Sequence, residues 1–223
     1  IDMDAGFLNG KTVLVMGLGR FGGGVDVVKF ACDAGARVIV TDLAKREELA
    51  ESIAQLKGFD VEYHLGSHDG GDFKQADIVV ANPAVPLDNK FLQIARKAGR
   101  KVTSQIEIFF ELCPAMIIGI TGANGKSTTT SLIAHLLRNR FENSKVWLGG
   151  NIGNEPMLAI VGQIKYDDLV VLELSSFQIE QLAQSKHAPH VALLTNLTPN
   201  HLDRYKTFDN YCKAKELIFQ NQK

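Results

Sequence analysis

The sequence predicts an α/β protein with two parallel-sheet domains, one after the other along the chain. Three observations carry this. Short β-type apolar runs alternate with helical stretches throughout. Twice such a run ends in a glycine-rich turn that opens a helix, at residues 17–22 and again at 119–130. Between the two, Cys113-Pro114 breaks the chain, dividing it into domains at 1–114 and 115–223.

Composition excludes several classes. The 223 residues are 45% apolar, enough for a sizeable core. Twenty-four Lys and Arg against 25 Asp and Glu leave a net charge of −1, which gives no support for a nucleic-acid-binding face. Cys32, Cys113 and Cys212 are odd in number, far apart and without metal-type spacing, which fits a reduced, cytoplasmic setting. No signal-peptide pattern is read within residues 1–223, and no apolar run there approaches the roughly 18 residues of a membrane span.

In the first domain, residues 11–16 form an apolar β-type run that ends in Gly17-Leu18-Gly19-Arg20-Phe21-Gly22. Residues 25–34 read as a helix closed by Gly35, and 37–41 as a second strand ending at Asp42. This is a βαβ unit with a GxGxxG turn and an acid about twenty residues on, the pattern of a Rossmann-like domain. A phosphate would sit at the helix start, and Asp42 could bind a ribose hydroxyl or a base. Residues 45–56 read as a helix and 61–65 as a strand. His64 and His68 fall on a strand end and a loop, with no ligand cluster around them. Residues 76–81 form a strand ending at Asn82-Pro83-Ala84-Val85-Pro86, a rigid loop at a strand's carboxyl end, where open α/β sheets bind ligands. A helix at 91–98, a strand at 101–103 and a helix at 104–112 follow, with Ser104 as N-cap and Glu107 three residues on.

In the second domain, Met116-Ile117-Ile118 leads into Gly119-Ile120-Thr121-Gly122-Ala123-Asn124-Gly125-Lys126-Ser127-Thr128. Strand, glycine loop, Gly-Lys-Ser and helix form a P-loop, although Ile120 stands where the strict pattern has glycine. The glycines let backbone amides approach phosphate oxygens, Lys126 supplies charge for the β- and γ-phosphates, and the Ser127 hydroxyl can reach Mg²⁺. Residues 169–174 read as a buried strand carrying Glu173, an acid costly to bury unless paired with a charge or a metal. Residues 190–194 are the next strand. It runs into a polar loop that brings His201 and Asp203 near the phosphate edge, with a structural and a catalytic role both open for His201. Residues 208–219 read as a helix bearing Lys213 and Lys215.

Taken together, residues 119–130, 149–153, Glu173-Leu174-Ser175-Ser176-Phe177-Gln178, His201-Leu202-Asp203-Arg204 and 211–215 resemble the Mur ligases of peptidoglycan synthesis. The chain is most similar to members that add D-glutamate to UDP-N-acetylmuramoyl-L-alanine. The resemblance implies ATP held by Gly122, Asn124, Gly125, Lys126, Ser127 and Thr128. It implies one Mg²⁺ on Ser127 and Glu173, and a second served by His201 and by Lys215 as a carbamate. The UDP precursor would meet Gly17, Gly19, Arg20, Phe21, Asp42, Asn151, Ser175 and Gln178, with Lys126, His201 and Lys215 as catalytic groups. ATP would phosphorylate the substrate carboxylate, and the amine would then displace phosphate from the acyl phosphate. The resemblance also implies a monomer whose amino-acid-binding domain is absent, and hence an inactive isolated chain. Ala123, Asn200, Asn82 and Ala84 depart from the family's usual Thr, Asp, Ser and Gly. An NAD-dependent oxidoreductase is the alternative for the first glycine loop, but it leaves Gly125-Lys126-Ser127 and Glu173 unexplained. A non-catalytic nucleotide-binding module and a related ligase of the folylpolyglutamate type are the others.

Overall fold

The computed structural model describes residues 5–19, 22–141, 144–152 and 156–222. The chain divides into two compact units, Ile1–Leu112 and Cys113–Lys223. The first contains β1 (Thr12–Met16), α1 (Gly23–Asp33), β2 (Arg37–Asp42), α2 (Ala50–Ala54), β3 (Val61–Leu65), α3 (Gly70–Gln75), β4 (Ile78–Ala81), α4 (Lys90–Lys97), β5 (Lys101–Thr103) and α5 (Gln105–Leu112). The second contains β6 (Met116–Thr121), α6 (Lys126–Arg140), β7 (Val146–Gly150), α7 (Met157–Val161), β8 (Leu169–Glu173), α8 (Ser176–Gln184), β9 (Val191–Leu194), α9 (Leu202–Tyr205) and α10 (Phe208–Glu216).

Each unit is organised around one sheet, and every strand pair among the described residues is parallel. The first sheet has the order β3-β2-β1-β4-β5. Its central strands are apolar at successive positions because both faces are covered. Leu14 and Met16 pack with Phe73, Val79, Leu92 and Ala95. Val13 and Val15, of opposite parity, are buried as well. The second sheet has the order β7-β8-β6-β9, with Ile120, Ala134, Val146 and Val171 at its core.

Local chemistry sets the element ends. Asp69 and Asn89 accept hydrogen bonds from Gly71 N and Phe91 N, so each caps the helix it precedes. Ser104 Oγ accepts from Glu107 N and donates to the Glu107 carboxylate, as expected for α5. The stretch at 45–56 is less regular than its pattern suggests: a 3₁₀ turn at Arg46–Leu49 comes before the single short turn of α2. The last helix also tightens into 3₁₀ at Leu217–Phe219. On α6, Leu132 and Leu136 are exposed, and Ile133, Ala134 and Leu137 face the sheet.

Candidate functional site

In the first unit the strand order reverses between β1 and β4, and the crevice beside such a reversal is where open α/β sheets hold ligands. A small cleft lies there, lined by Gly17, Gly23, Gly24, Asn82, Pro83 and Gln105. Gly24 lets α1 start hard against β1's exit, since a Cβ on it would overlap the backbone of Leu18. The Asn82 side chain spans the cleft mouth: its Nδ2 donates to Gly17 O at 3.3 Å, and its Oδ1 accepts from Ala84 N at 3.0 Å.

Asp42 is committed to the glycine loop. Its Oδ2 accepts from Leu18 N at 2.9 Å and Gly19 N at 3.3 Å, and its Oδ1 from Ala44 N at 2.9 Å. A carboxylate offers about four acceptor sites, so these three bonds leave roughly one for a ligand. Arg20, Phe21 and Gly153 lie outside the described residues. His68 Nδ1 is 2.7 Å from Thr41 Oγ1, and its ring meets Phe73 and Phe91 edge-on, a packed environment. Burial lowers its pKa. His64 bridges Asp72 and Glu62.

In the second unit β6 delivers the chain to the phosphate loop. Thr121 is fully buried, and its hydroxyl donates to Leu174 O at 2.7 Å. Gly122 follows with φ 144°, where a side chain is strained, and a Cβ there would collide with the Thr195 hydroxyl. Gly125 in the left-handed region caps α6. The first-turn amides of α6, those of Lys126, Ser127 and Thr128 among them, have no acceptor within the helix and form an anion site with its positive dipole end. Lys126 Nζ lies back on the loop, donating to Ala123 O at 3.1 Å.

The structure gathers four of the sequence-predicted residues here. Ile120 of β6 pairs in register with Glu173 of β8, which places the acid beside the loop. Glu173 is only 3% exposed, and Ser127 Oγ donates to its Oε2 at 2.7 Å. Lys215, 2% exposed on α10, donates from Nζ to Thr121 Oγ1 at 2.8 Å. Burial first, and then the Lys126 ammonium, lowers the Lys215 pKa to about 8, with Glu173 opposing. Lys213, two residues away, is exposed and paired with Asp209 at 2.7 Å.

His201 lies at the edge of this group. It caps α9 with φ 50°, and its ring centroid is 5.2 Å from Phe177 and 6.3 Å from Tyr211. Lys215 Nζ is 5.6 Å from the same Tyr211 ring, so Tyr211 touches both. Asn151 N donates to Glu173 O at 2.9 Å, which puts the end of β7 beside the acid. Ser175 and Gln178 form a reciprocal capping box on α8: Ser175 Oγ accepts from Gln178 N at 3.2 Å, and Gln178 Oε1 from Ser175 N at 3.0 Å. Asn124 turns from the loop toward the residues after β9, which sequence reasoning left without a role. Their signal was a Thr-Asn pair directly following a strand that adjoins the phosphate-loop strand.

No group of three or more His, Cys, Asp or Glu converges on one point among the described residues. The hydroxyl and carboxylate of Ser127 and Glu173 nevertheless fit Mg²⁺, a hard ion bound by one or two protein oxygens, substrate phosphates and water.

A parallel sheet with a Gly-Lys-Ser turn, a helix opened by it and a buried acid on the adjacent strand defines a protein of the P-loop class. The family model described as Mur ligase middle domain matches residues 120–223, and that described as Mur ligase MurD-like, N-terminal domain, matches 11–104. The chain belongs to the Mur ligase family. It is 44% identical over 216 residues to the UDP-N-acetylmuramoylalanine--D-glutamate ligase of Roseiflexus sp. (strain RS-1), covering 97% of this chain and 46% of that protein. A protein of the same name from Geobacter metallireducens is 44% identical over 215 residues, 96% of this chain and 46% of the relative. The chain thus spans about half the length of the curated relatives it matches. In fold it is similar to the UDP-N-acetylmuramate:L-alanyl-gamma-D-glutamyl-meso-diaminopimelate ligase of Neisseria meningitides, with TM-score 0.61 and 18% identity over 96% of this chain and 69% of that one. It is similar also to the UDP-N-acetylmuramate-alanine ligase MurC of Thermotoga maritima, with TM-score 0.55 and 24% identity over 95% of this chain and 47% of that one.

Proposed function

We propose that this chain supplies the UDP-precursor-binding and ATP-binding parts of an ATP-dependent ligase that joins D-glutamate to UDP-N-acetylmuramoyl-L-alanine in peptidoglycan synthesis. The observation that carries the proposal is the meeting of Ser127, Glu173 and Lys215 beneath the phosphate loop, in a chain 44% identical to ligases of that name. Bound Mg²⁺ and ATP would supply an electrophilic phosphoryl group and offset the charge that builds on it.

Each residue then has a task. Lys126 turns from Ala123 O toward the phosphates, and the first-turn amides of α6 orient them. Ser127 and Glu173 would hold one Mg²⁺, and His201, with Lys215 as a carbamate, would serve a second. Lys215 at a pKa of about 8 is about one tenth neutral at pH 7, far more than an ordinary lysine, and carbamate formation with CO₂ requires that neutral amine. The carboxylate of the precursor takes the γ-phosphoryl group with release of ADP. The amine of D-glutamate then displaces phosphate, forming the amide and shedding a proton. In the first unit the Gly17–Gly19 turn, Asp42 and Asn82 face the UDP moiety. No helix among the described residues is long and apolar enough to cross a membrane. A cytoplasmic, monomeric enzyme fits the two nucleotides involved and the three free cysteines.

Calorimetry with UDP-N-acetylmuramoyl-L-alanine, Mg·ATP and NAD tests the reading. Binding of the first two is expected. Tighter binding of NAD than of the UDP precursor overturns it in favour of an oxidoreductase.

A further inference from the structure

The turn after β9 closes over the phosphate loop from outside. Ala123 N donates to Asn196 O at 2.9 Å, and Asn124 N to Asn196 Oδ1 at 3.0 Å. Asn124 O accepts from Thr195 Oγ1 at 2.7 Å and from Asn196 Nδ2 at 2.9 Å. Asn124 Nδ2 donates to Thr198 Oγ1 at 3.1 Å. Thr195 N is itself anchored on Thr121 O at 3.0 Å, continuing the β6–β9 ladder.

We propose that Thr195 and Asn196 are positioning residues for the phosphate loop, fixing residues 122–124 in the arc that aims the first-turn amides of α6 at a nucleotide phosphate. The proposal rests on the nucleotide reading above and names residues to which that reading assigns no task.

Three features of the geometry support it. First, the clamp is made where the loop has least structure of its own. Gly122 and Gly125 both adopt glycine-type backbone conformations, so the loop's intrinsic preferences do not hold its shape. Second, the contacts are solvent-exposed, where any one hydrogen bond competes with water. Here both backbone groups and the side chain of Asn124 are engaged together by neighbouring residues, and cooperation makes such a set hold. Third, the fit is steric as well as polar. The Thr195 hydroxyl occupies the space that a Cβ on residue 122 would fill, so its position depends on the glycine there.

The clamp also sorts the loop's amides. Those of Ala123 and Asn124 are spent on Asn196, which leaves the anion to the amides that open α6. A loop held in that shape before the ligand arrives binds without first losing conformational freedom. Because His201 lies five residues beyond Asn196 on the same segment, the clamp also ties its position to that of the loop.

The test is calorimetric titration of the 223-residue chain with Mg·ATP, paired with thermal unfolding of the unliganded protein. Thr195→Val and Asn196→Ala are each expected to weaken Mg·ATP about tenfold, a loss of about 1.4 kcal/mol. The unliganded unfolding midpoint is expected to hold. Thr195→Ser, which keeps the hydroxyl, is expected to bind as wild type does. Wild-type affinity in both Thr195→Val and Asn196→Ala overturns the proposal and leaves the nucleotide reading standing. So does a loss of affinity that follows an equal loss of folded protein, since the role is then only structural. A wild-type chain that binds no nucleotide overturns the reading and this proposal together.

Discussion

The Lys215 ammonium donates to the Thr121 hydroxyl across 2.8 Å, inside the second unit and at the end of the strand that feeds the phosphate loop. The bond does not offset the cost of the site. Burial and Lys126 lower the Lys215 pKa from 10.5 to about 8, so the folded protein holds this proton less tightly than the unfolded chain. Below pH 8 the charged lysine destabilises the fold by its full amount. Between about 8 and 10.5 the unfolded chain binds more protons, and stability rises with pH. Lys215→Met is expected to be more stable than wild type at pH 7, by about 1–3 kcal/mol. The difference should shrink as pH climbs toward 10, as read by urea unfolding in CO₂-free buffer. A pH-independent difference would contradict this account.

Ser127→Ala removes the hydroxyl that faces Glu173 and leaves the loop backbone intact. The expected effect is confined to the metal-dependent part of nucleotide binding. Affinity for ATP with Mg²⁺ should fall tenfold or more, and affinity without Mg²⁺ should change little. Equal losses in both titrations would place Ser127 on the phosphates instead.

Gly24→Ala tests the close approach of α1 to β1's exit. In an ordinary helix interior this change stabilises by roughly 0.5–1 kcal/mol. Here the new Cβ would meet the Leu18 carbonyl, which cannot move without shifting the glycine loop. The clash should win, with a net loss of about 1–3 kcal/mol, the usual cost of overpacking. Denaturant unfolding gives the sign directly.

His64 is hydrogen-bonded to Asp72 at 2.7 Å and to Glu62 at 3.0 Å, which raises its pKa above the ordinary 6.5. Its contribution to stability is complete below pH 6.5 and is lost as pH rises through the raised value. With the ring 36% exposed, solvent screens the pair and the effect should stay under about 1 kcal/mol. His64→Gln should flatten that part of the pH–stability curve.

The parallel-sheet architecture was legible because hydrophobic runs and glycine turns are local signals. Residues 11–16 and 37–41 read as strands because a glycine turn and a helical stretch lie between them, and the structure has strands at Thr12–Met16 and Arg37–Asp42. Glu173 was legible because an acid at the end of an apolar strand has few uses, and Lys126 and Ser127 because Gly-Lys-Ser opens a helix after a glycine loop. Asp42 shows the limit. Its position at the end of β2 was readable, but the two glycine-loop amides that converge on its carboxylate are 24 and 23 residues away in sequence. Ser175 and Gln178 carried a plain capping-box spacing, and the structure makes that cap. Thr195 and Asn196 were not legible because their partner, Asn124, is 71 and 72 residues upstream.

That separation has a consequence for how the protein comes into being. β6 lies between β8 and β9, both made after it, so the phosphate-loop strand has no neighbour in its sheet when it leaves the ribosome. Its loop meets Asn196 only once those 72 further residues exist, which takes about 4–14 s of synthesis. During that interval an apolar strand and its glycine turn are exposed on a nascent chain whose first half already has every strand of its own sheet. Long-range parallel pairing of this kind is slow to form. The second unit is therefore the later of the two to close, and a pause in translation after the β9 turn has cleared the ribosome would give it time to do so.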